Sequence, residues 1–191
     1  MIVGEASKKE LNIEKVRQAM GLGVKVAKGL KASSIATVLV GAGKGEQNPR
    51  GIAQAVTEAC LLTNYSFDGW KKQDEANPKT ELKSVQIVEI ATGKMKRAEA
   101  GAELGEIFAK ATLHTRDLVN EVPSEMSPAA LKKAAEVIAK SSSRITAKVL
   151  DRAAAKKMGM NAFLAVASGS ETEPYFIHLT YKPVQKAKTS M

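Results

Sequence analysis

The chain has 191 residues, 44% hydrophobic and only 4% aromatic, and carries 29 Lys plus Arg against 20 Asp plus Glu for a formal charge of +9. That length and apolar content can fill one ordinary core or two small ones, and the scarcity of Tyr and Trp argues against an aromatic-rich β-sandwich and for helices packed on small aliphatic residues. Basic residues outnumber acidic ones 17 to 13 through residue 110 and 12 to 7 beyond it, so no dense tract of the kind that neutralises phosphates is present, and solvated lysines on helix faces account for the excess.

In chain order, Ser7 with Glu10 fits a capping box and predicts a helix start, with Val16, Ala19, Met20, Gly23 and Ala27 at helical spacing and Gly29 as the stop. SIATVLVG (34–41) is nearly continuous in apolar residues and predicts a buried strand. A second helix is expected from Arg50 to about Tyr65, with Ile52, Ala55, Val56, Ala59 and Cys60 on one face. FDGWKKQDEANPKTELK (67–83) has the composition of a loop, and SVQIVEI (84–90) alternates as a strand does. Residues 98–119 give the longest helical pattern, with Leu104, Ile107, Phe108, Ala111, Leu118 and Val119 as its apolar stripe. Pro123 resets the chain, and Ser127 with Pro128 starts a helix carrying Leu131, Ala134, Ala135 and Ile138 that frays at Ser141 to Ser143. ITAKVLD is predicted as a strand, AAAKKMG as a short helix, AFLAVASG as a buried strand and YFIHLTYK as a strand, leaving VQKAKTSM as a loose tail. The alternation of helices and strands argues for α/β units.

Cys60 is the only cysteine, which excludes an intrachain disulfide and a thiolate metal cluster and suits a core position. MIVGEASKKE lacks an apolar signal core and the apolar runs are short, so no membrane span or export is expected and the cytoplasm is the default location. GAGKGEQNP (41–49) sits where a phosphate loop would, but Gly45 and Glu46 follow Lys44 where Ser or Thr is needed, and Glu46 replaces the last small residue of a dinucleotide fingerprint. A turn leading into a helix is the better account. His114 and His178 have no second His or Cys at i+3 or i+4, so both suit structural roles, and no GxSxG elbow accompanies them. The acids of SGSETEP (168–174) suit a solvated turn. These residues alone indicate an α/β protein without an evident catalytic constellation.

TRDLVNEVPSEMSPAAL (115–131) closely resembles the opening of the catalytic domain in the leucyl aminopeptidase (cytosol aminopeptidase) family, and VLDRAAAKKMGMNAFLAVASGSETEPYFIHLTYKP (149–183) resembles the segments that follow it there. KGLKASSIATVLVG, RGIAQAVTEACLLTNYSFDGWK and SVQIVEI are more loosely similar to that family's N-terminal domain. The resemblance implies a partial macro-like N-terminal α/β domain over 1–97, a connecting helix over 98–120, the first αβ units of the peptidase catalytic domain over 121–183, and a tail over 184–191. It implies an incomplete N-terminal sheet, since the family's domain has several strands before the point where this sequence starts.

Intact members are hexamers that remove N-terminal residues from peptides with two divalent metals, Zn or Mn. Two such cations activate a water and hold the substrate's amine and scissile carbonyl. The family's metal ligands lie in GKG…FDSGG and NTDAEGR segments, and neither string occurs here. No catalytic, cofactor-binding or metal-ligating residue is therefore assigned. The expectation is an aminopeptidase-like chain that binds no metal and is inactive alone. Self-association or pairing with a separate catalytic part, and a non-enzymatic role binding DNA or a protein partner, are the alternatives.

Overall fold

The computed structural model describes residues 12–39, 48–72, 81–89 and 91–184. Helix α1, Ile13–Gly29, starts where Asn12 Oδ1 accepts the Lys15 N–H at 2.9 Å. The capping box expected at Ser7 lies outside the described residues. The helix ends in a Schellman turn, with Ala32 N–H donating to Ala27 O and Lys31 N–H to Lys28 O. Lys31, not a glycine, takes the left-handed position with φ 57°.

Helix α2, Pro49–Asn64, is capped by Asn48, whose Oδ1 accepts the Gly51 N–H at 2.7 Å, and Pro49 occupies the first turn where its missing N–H costs nothing. Its buried residues Ile52, Ala53, Ala55, Val56, Ala59 and Cys60 go well round the helix, because α2 lies at the centre of the first core. Val16 and Val24 of α1, Leu39, Leu82 and Ala98 join that cluster, with Ile35, Val85 and Ile87 packed against it. Burial of a side chain such as Ile52 contributes about 1.5–3 kcal/mol.

Strands β1, Ser34–Val38, and β2, Ser84–Val88, pair in parallel, Ser34 opposite Ser84 through Val38 opposite Val88. Of the strand expected over 34–41, residues 40 and 41 lie outside the described residues, and Ser34–Val38 is not buried: its exposure alternates, and so does that of β2. Ile35, Val85 and Ile87 face the helices, whereas Val38 and Val88 are exposed. A continuous apolar run suits a sheet covered on both faces, and among the described residues this sheet is covered on one. Asn64 ties the approach to β2 in place, its Nδ2 donating to Leu82 O at 2.9 Å and its Oδ1 accepting the Leu82 N–H at 3.3 Å.

Helix α3, Thr92–Asn120, runs 29 residues and begins before the expected residue 98. Its buried face is Ala98, Gly101, Gly105 and Ala109, not the stripe of large residues. Ile107 is 63% exposed, Phe108 51% and Val119 76%. The small residues win because they let two helix backbones approach. A Cβ on Gly101 would run into the Arg50 carbonyl and lie 2.9 Å from Arg50 Cα, and one on Gly105 would lie 2.6 Å from the Gln54 carbonyl oxygen.

The chain divides into two compact units, Met1–Asp117 and Leu118–Met191. The second holds α4, Pro128–Lys140, capped as expected by Ser127, whose Oγ accepts the Ala130 N–H at 3.3 Å. Ala135 is its buried residue, and Leu131, expected on the apolar face, is exposed. Strands β3, Ile145–Leu150, and β4, Phe176–Tyr181, pair antiparallel from Ile145 opposite Tyr181 to Leu150 opposite Phe176.

Between them come α5, Arg152–Lys157, and α6, Asn161–Ala167. AFLAVASG is thus helical, not a buried strand, and none of α6 is buried. A short apolar run is ambiguous between helix and strand, and its Ala and Leu content favours the helix. Gly159, φ 70°, closes α5 with Met160 N–H donating to Ala155 O and Gly159 N–H to Lys156 O. Phe163 of α6 meets Phe176 of β4 edge to face at 5.9 Å.

Candidate functional site

Polar side chains gather at two places in the first unit. The first links α1 to α2. Arg17 Nη2 lies 2.8 Å from Glu58 Oε2 and Arg17 Nε donates to the same oxygen at 2.9 Å, while Gln54 Nε2 donates to Glu58 Oε1 at 2.7 Å. Glu58, 9% exposed, is the buried charged residue among those described, and both of its oxygens are engaged. A carboxylate satisfied in this way fastens two helices.

The second place is the end of α3, where TRDLVN lies. Tyr65 Oη donates to Asp117 Oδ1 at 2.7 Å, Arg116 Nη1 donates to Leu62 O at 3.0 Å, and the Arg116 guanidinium lies over the Tyr65 ring at 5.8 Å. Arg116 and Asp117 therefore fix the end of the long helix to the end of α2. Charge at this position was legible in the sequence; its partners, more than 50 residues away, were not.

The remaining candidates are dispersed. Residues 41–47, with Lys44, lie outside the described residues, and Asn48 and Pro49 serve the start of α2. His114 is exposed on α3. His178 is exposed on β4 opposite Lys148, with Thr180 Oγ1 3.5 Å from its Nε2. In SGSETEP, Glu173 accepts the Arg152 N–H at 3.0 Å and pairs with Arg152 Nε at 3.4 Å, so it braces the start of α5.

Cys60 is buried, and desolvation pushes its thiol up to about 11, which leaves it protonated and unreactive at neutral pH. It lines a groove of about 210 Å³ with Val56, Leu82 and Val85, where Asn64 is already committed to the Leu82 backbone. Among the described residues no group of three or more His, Cys, Asp or Glu comes together to hold a metal ion, and no helix is long and apolar enough to cross a membrane.

The comparisons with known proteins cover both units. The profile of the cytosol aminopeptidase family's N-terminal domain matches residues 1–74, and that of the same family's catalytic domain matches residues 113–191. The chain belongs to the cytosol aminopeptidase family. A probable cytosol aminopeptidase of Persephonella marina is 35% identical over 192 residues, covering 98% of this chain and 37% of that protein. One from Aquifex aeolicus is 36% identical over 187 residues, covering 98% and 36%. This member of the family thus spans little more than a third of the length of the relatives it matches.

Among solved structures, a point mutant of tomato leucine aminopeptidase is similar with a TM-score of 0.79 and 26% identity, over 93% of this chain and 35% of that one. The bottromycin maturation enzyme BotP, in complex with Mn, shares the fold with a TM-score of 0.75 at 22% identity, over 92% and 34%. The α/β architecture expected from the sequence is that of a partial aminopeptidase fold. Two-metal hydrolysis needs several convergent oxygen or nitrogen ligands. The described donors of this chain do not form such a set.

Proposed function

We propose that residues 1–191 supply the scaffold portion of a leucyl aminopeptidase-type hydrolase. In this reading residues 1–97 are part of a macro-like α/β domain, 98–120 are the connecting helix, 121–183 are the first αβ units of the peptidase domain, and 184–191 are a tail. The whole enzyme takes peptides with a free N-terminus as substrates and uses two divalent metals. Its metal ligands come from polypeptide outside these residues, and residues 1–191 alone do not turn over substrate. A cytosolic location belongs to the same reading, through the names of the relatives.

The observation that carries it is the pairing of both family profiles, in order on one chain that spans little more than a third of its relatives' length. The test is an assay of purified residues 1–191 on a leucyl chromogenic amide with Mn²⁺, followed by the same assay after co-expression with the remaining polypeptide of a close relative. No turnover alone and turnover after co-expression are expected. Turnover by residues 1–191 alone that rises linearly with their concentration contradicts the proposal.

A further inference from the structure

We infer that Tyr65, Arg116 and Asp117 form a releasable latch that holds the last turns of α3 on α2. The long helix is attached to α2 in two different ways along its length. From Ala98 to Ala109 it is seated by buried small residues, with Gly101 and Gly105 against the backbone of Arg50 and Gln54. Such a contact is sensitive to small separations, because a gap of about 0.5–1 Å already forfeits roughly a quarter to a half of the van der Waals attraction. Beyond Ala109 no residue of α3 is buried. Over that stretch the polar ties are Tyr65 Oη to Asp117 at 2.7 Å, Arg116 to the Leu62 carbonyl at 3.0 Å, and Arg116 over the Tyr65 ring, with Leu113 half-buried beside them. Arg116 and Asp117 are exposed, so their polar groups are rehydrated when they part, and opening costs less than parting a buried contact.

The receiving side is firm. Asn64, one residue before Tyr65, pairs with both backbone groups of Leu82, and Lys28 Nζ donates to Asn64 O at 2.9 Å. The acid is also placed against the preference of its own helix. Asp117 lies in the last turn of α3, which has no basic residue, and a negative charge there opposes the helix dipole. The contact with Tyr65 gives the carboxylate a role that helix stability does not. The boundary between the two units falls directly after Asp117, so all three latch residues lie within the first unit.

The test is amide hydrogen exchange on the full chain, comparing the unmodified protein with Tyr65→Phe, Asp117→Asn and the exposed control His114→Ala. The latch predicts that amides of residues 112–117 exchange faster in Tyr65→Phe and in Asp117→Asn, by about tenfold for loss of a charge-assisted hydrogen bond, with residues 98–109 unchanged and the control like the unmodified protein. Slower exchange in Asp117→Asn would mean that the dipole outweighs the latch, and overturns the inference. Unchanged exchange over 112–117 in Tyr65→Phe, or equal acceleration over 98–109 and 112–117, overturns it as well.

Discussion

Gly105 of α3 stands against the backbone of Gln54 in α2, so close that a Cβ on the glycine would lie 2.6 Å from the Gln54 carbonyl oxygen and 3.0 Å from Thr57 Cβ. In an open helix an alanine is favoured over glycine by about 1 kcal/mol. Here the overlap is with backbone, which cannot rotate away. Gly105→Ala is expected to destabilise the first unit by about 1–3 kcal/mol, the usual cost of overpacking, and Gly101→Ala by at least as much. Gly23 in α1 has nothing within 4 Å of its Cβ position, so Gly23→Ala should stabilise by up to about 1 kcal/mol. Urea denaturation of the three variants checks both signs.

The Arg17–Glu58 pair is expected to be costly to break and cheap to replace. With side-chain exposures of 32% and 12%, it is largely withdrawn from water. Arg17→Ala leaves a carboxylate half-satisfied by Gln54 and should cost about 2–4 kcal/mol, whereas the double variant Arg17→Met with Glu58→Met should recover most of that loss. Midpoints of chemical denaturation for the single and double variants decide it, and additive losses would count against this account.

Cys60 links stability to alkaline pH. Its thiol is pushed up to about 11 in the folded chain from an ordinary 9.0, so between these values the unfolded chain releases a proton that the folded chain keeps. Stability from this group is therefore full below pH 9 and falls as pH rises towards 11, by about 1.4 kcal/mol per pH unit within that window. Cys60→Ala should flatten this part of the profile relative to the unmodified chain. At pH 8 the native thiol should resist a disulfide-exchange reagent and become reactive in denaturant.

The two Schellman turns give opposite expectations. Gly159 holds φ 70° with nothing near its Cβ position, so Gly159→Ala is penalised by backbone strain alone, about 1 kcal/mol. Lys31 holds φ 57° with a side chain, so Lys31→Gly relieves strain of about the same size. Thermal melting should show the first lowering the transition and the second raising it.

How much of this was legible in the sequence depends on which physical signal each element carried. Caps made of adjacent residues were readable: Ser127 with Pro128 starts α4 as expected, and the Asn48–Pro49 turn into α2 lies where a turn was placed. The face of α3 was misread because hydrophobicity favours Leu104, Ile107 and Phe108, whereas the helix buries the glycines and alanines that permit close approach. Residues 162–167 form a helix and not the expected strand because a short apolar run carries no period, and the Ala and Leu content of the run favours the helix. For the candidate site, RDLVN was visible as a string, but the partners of Arg116 and Asp117 at Leu62 and Tyr65 are set by tertiary folding.

The central claim is that this chain is aminopeptidase scaffold and not the metal-binding part. Metal content of purified residues 1–191 after incubation with Mn²⁺ or Zn²⁺ and removal of the excess tests it most directly. The account predicts well under one equivalent of either ion retained per chain. Two equivalents retained with micromolar affinity, accompanied by hydrolysis of a leucyl amide, would contradict it.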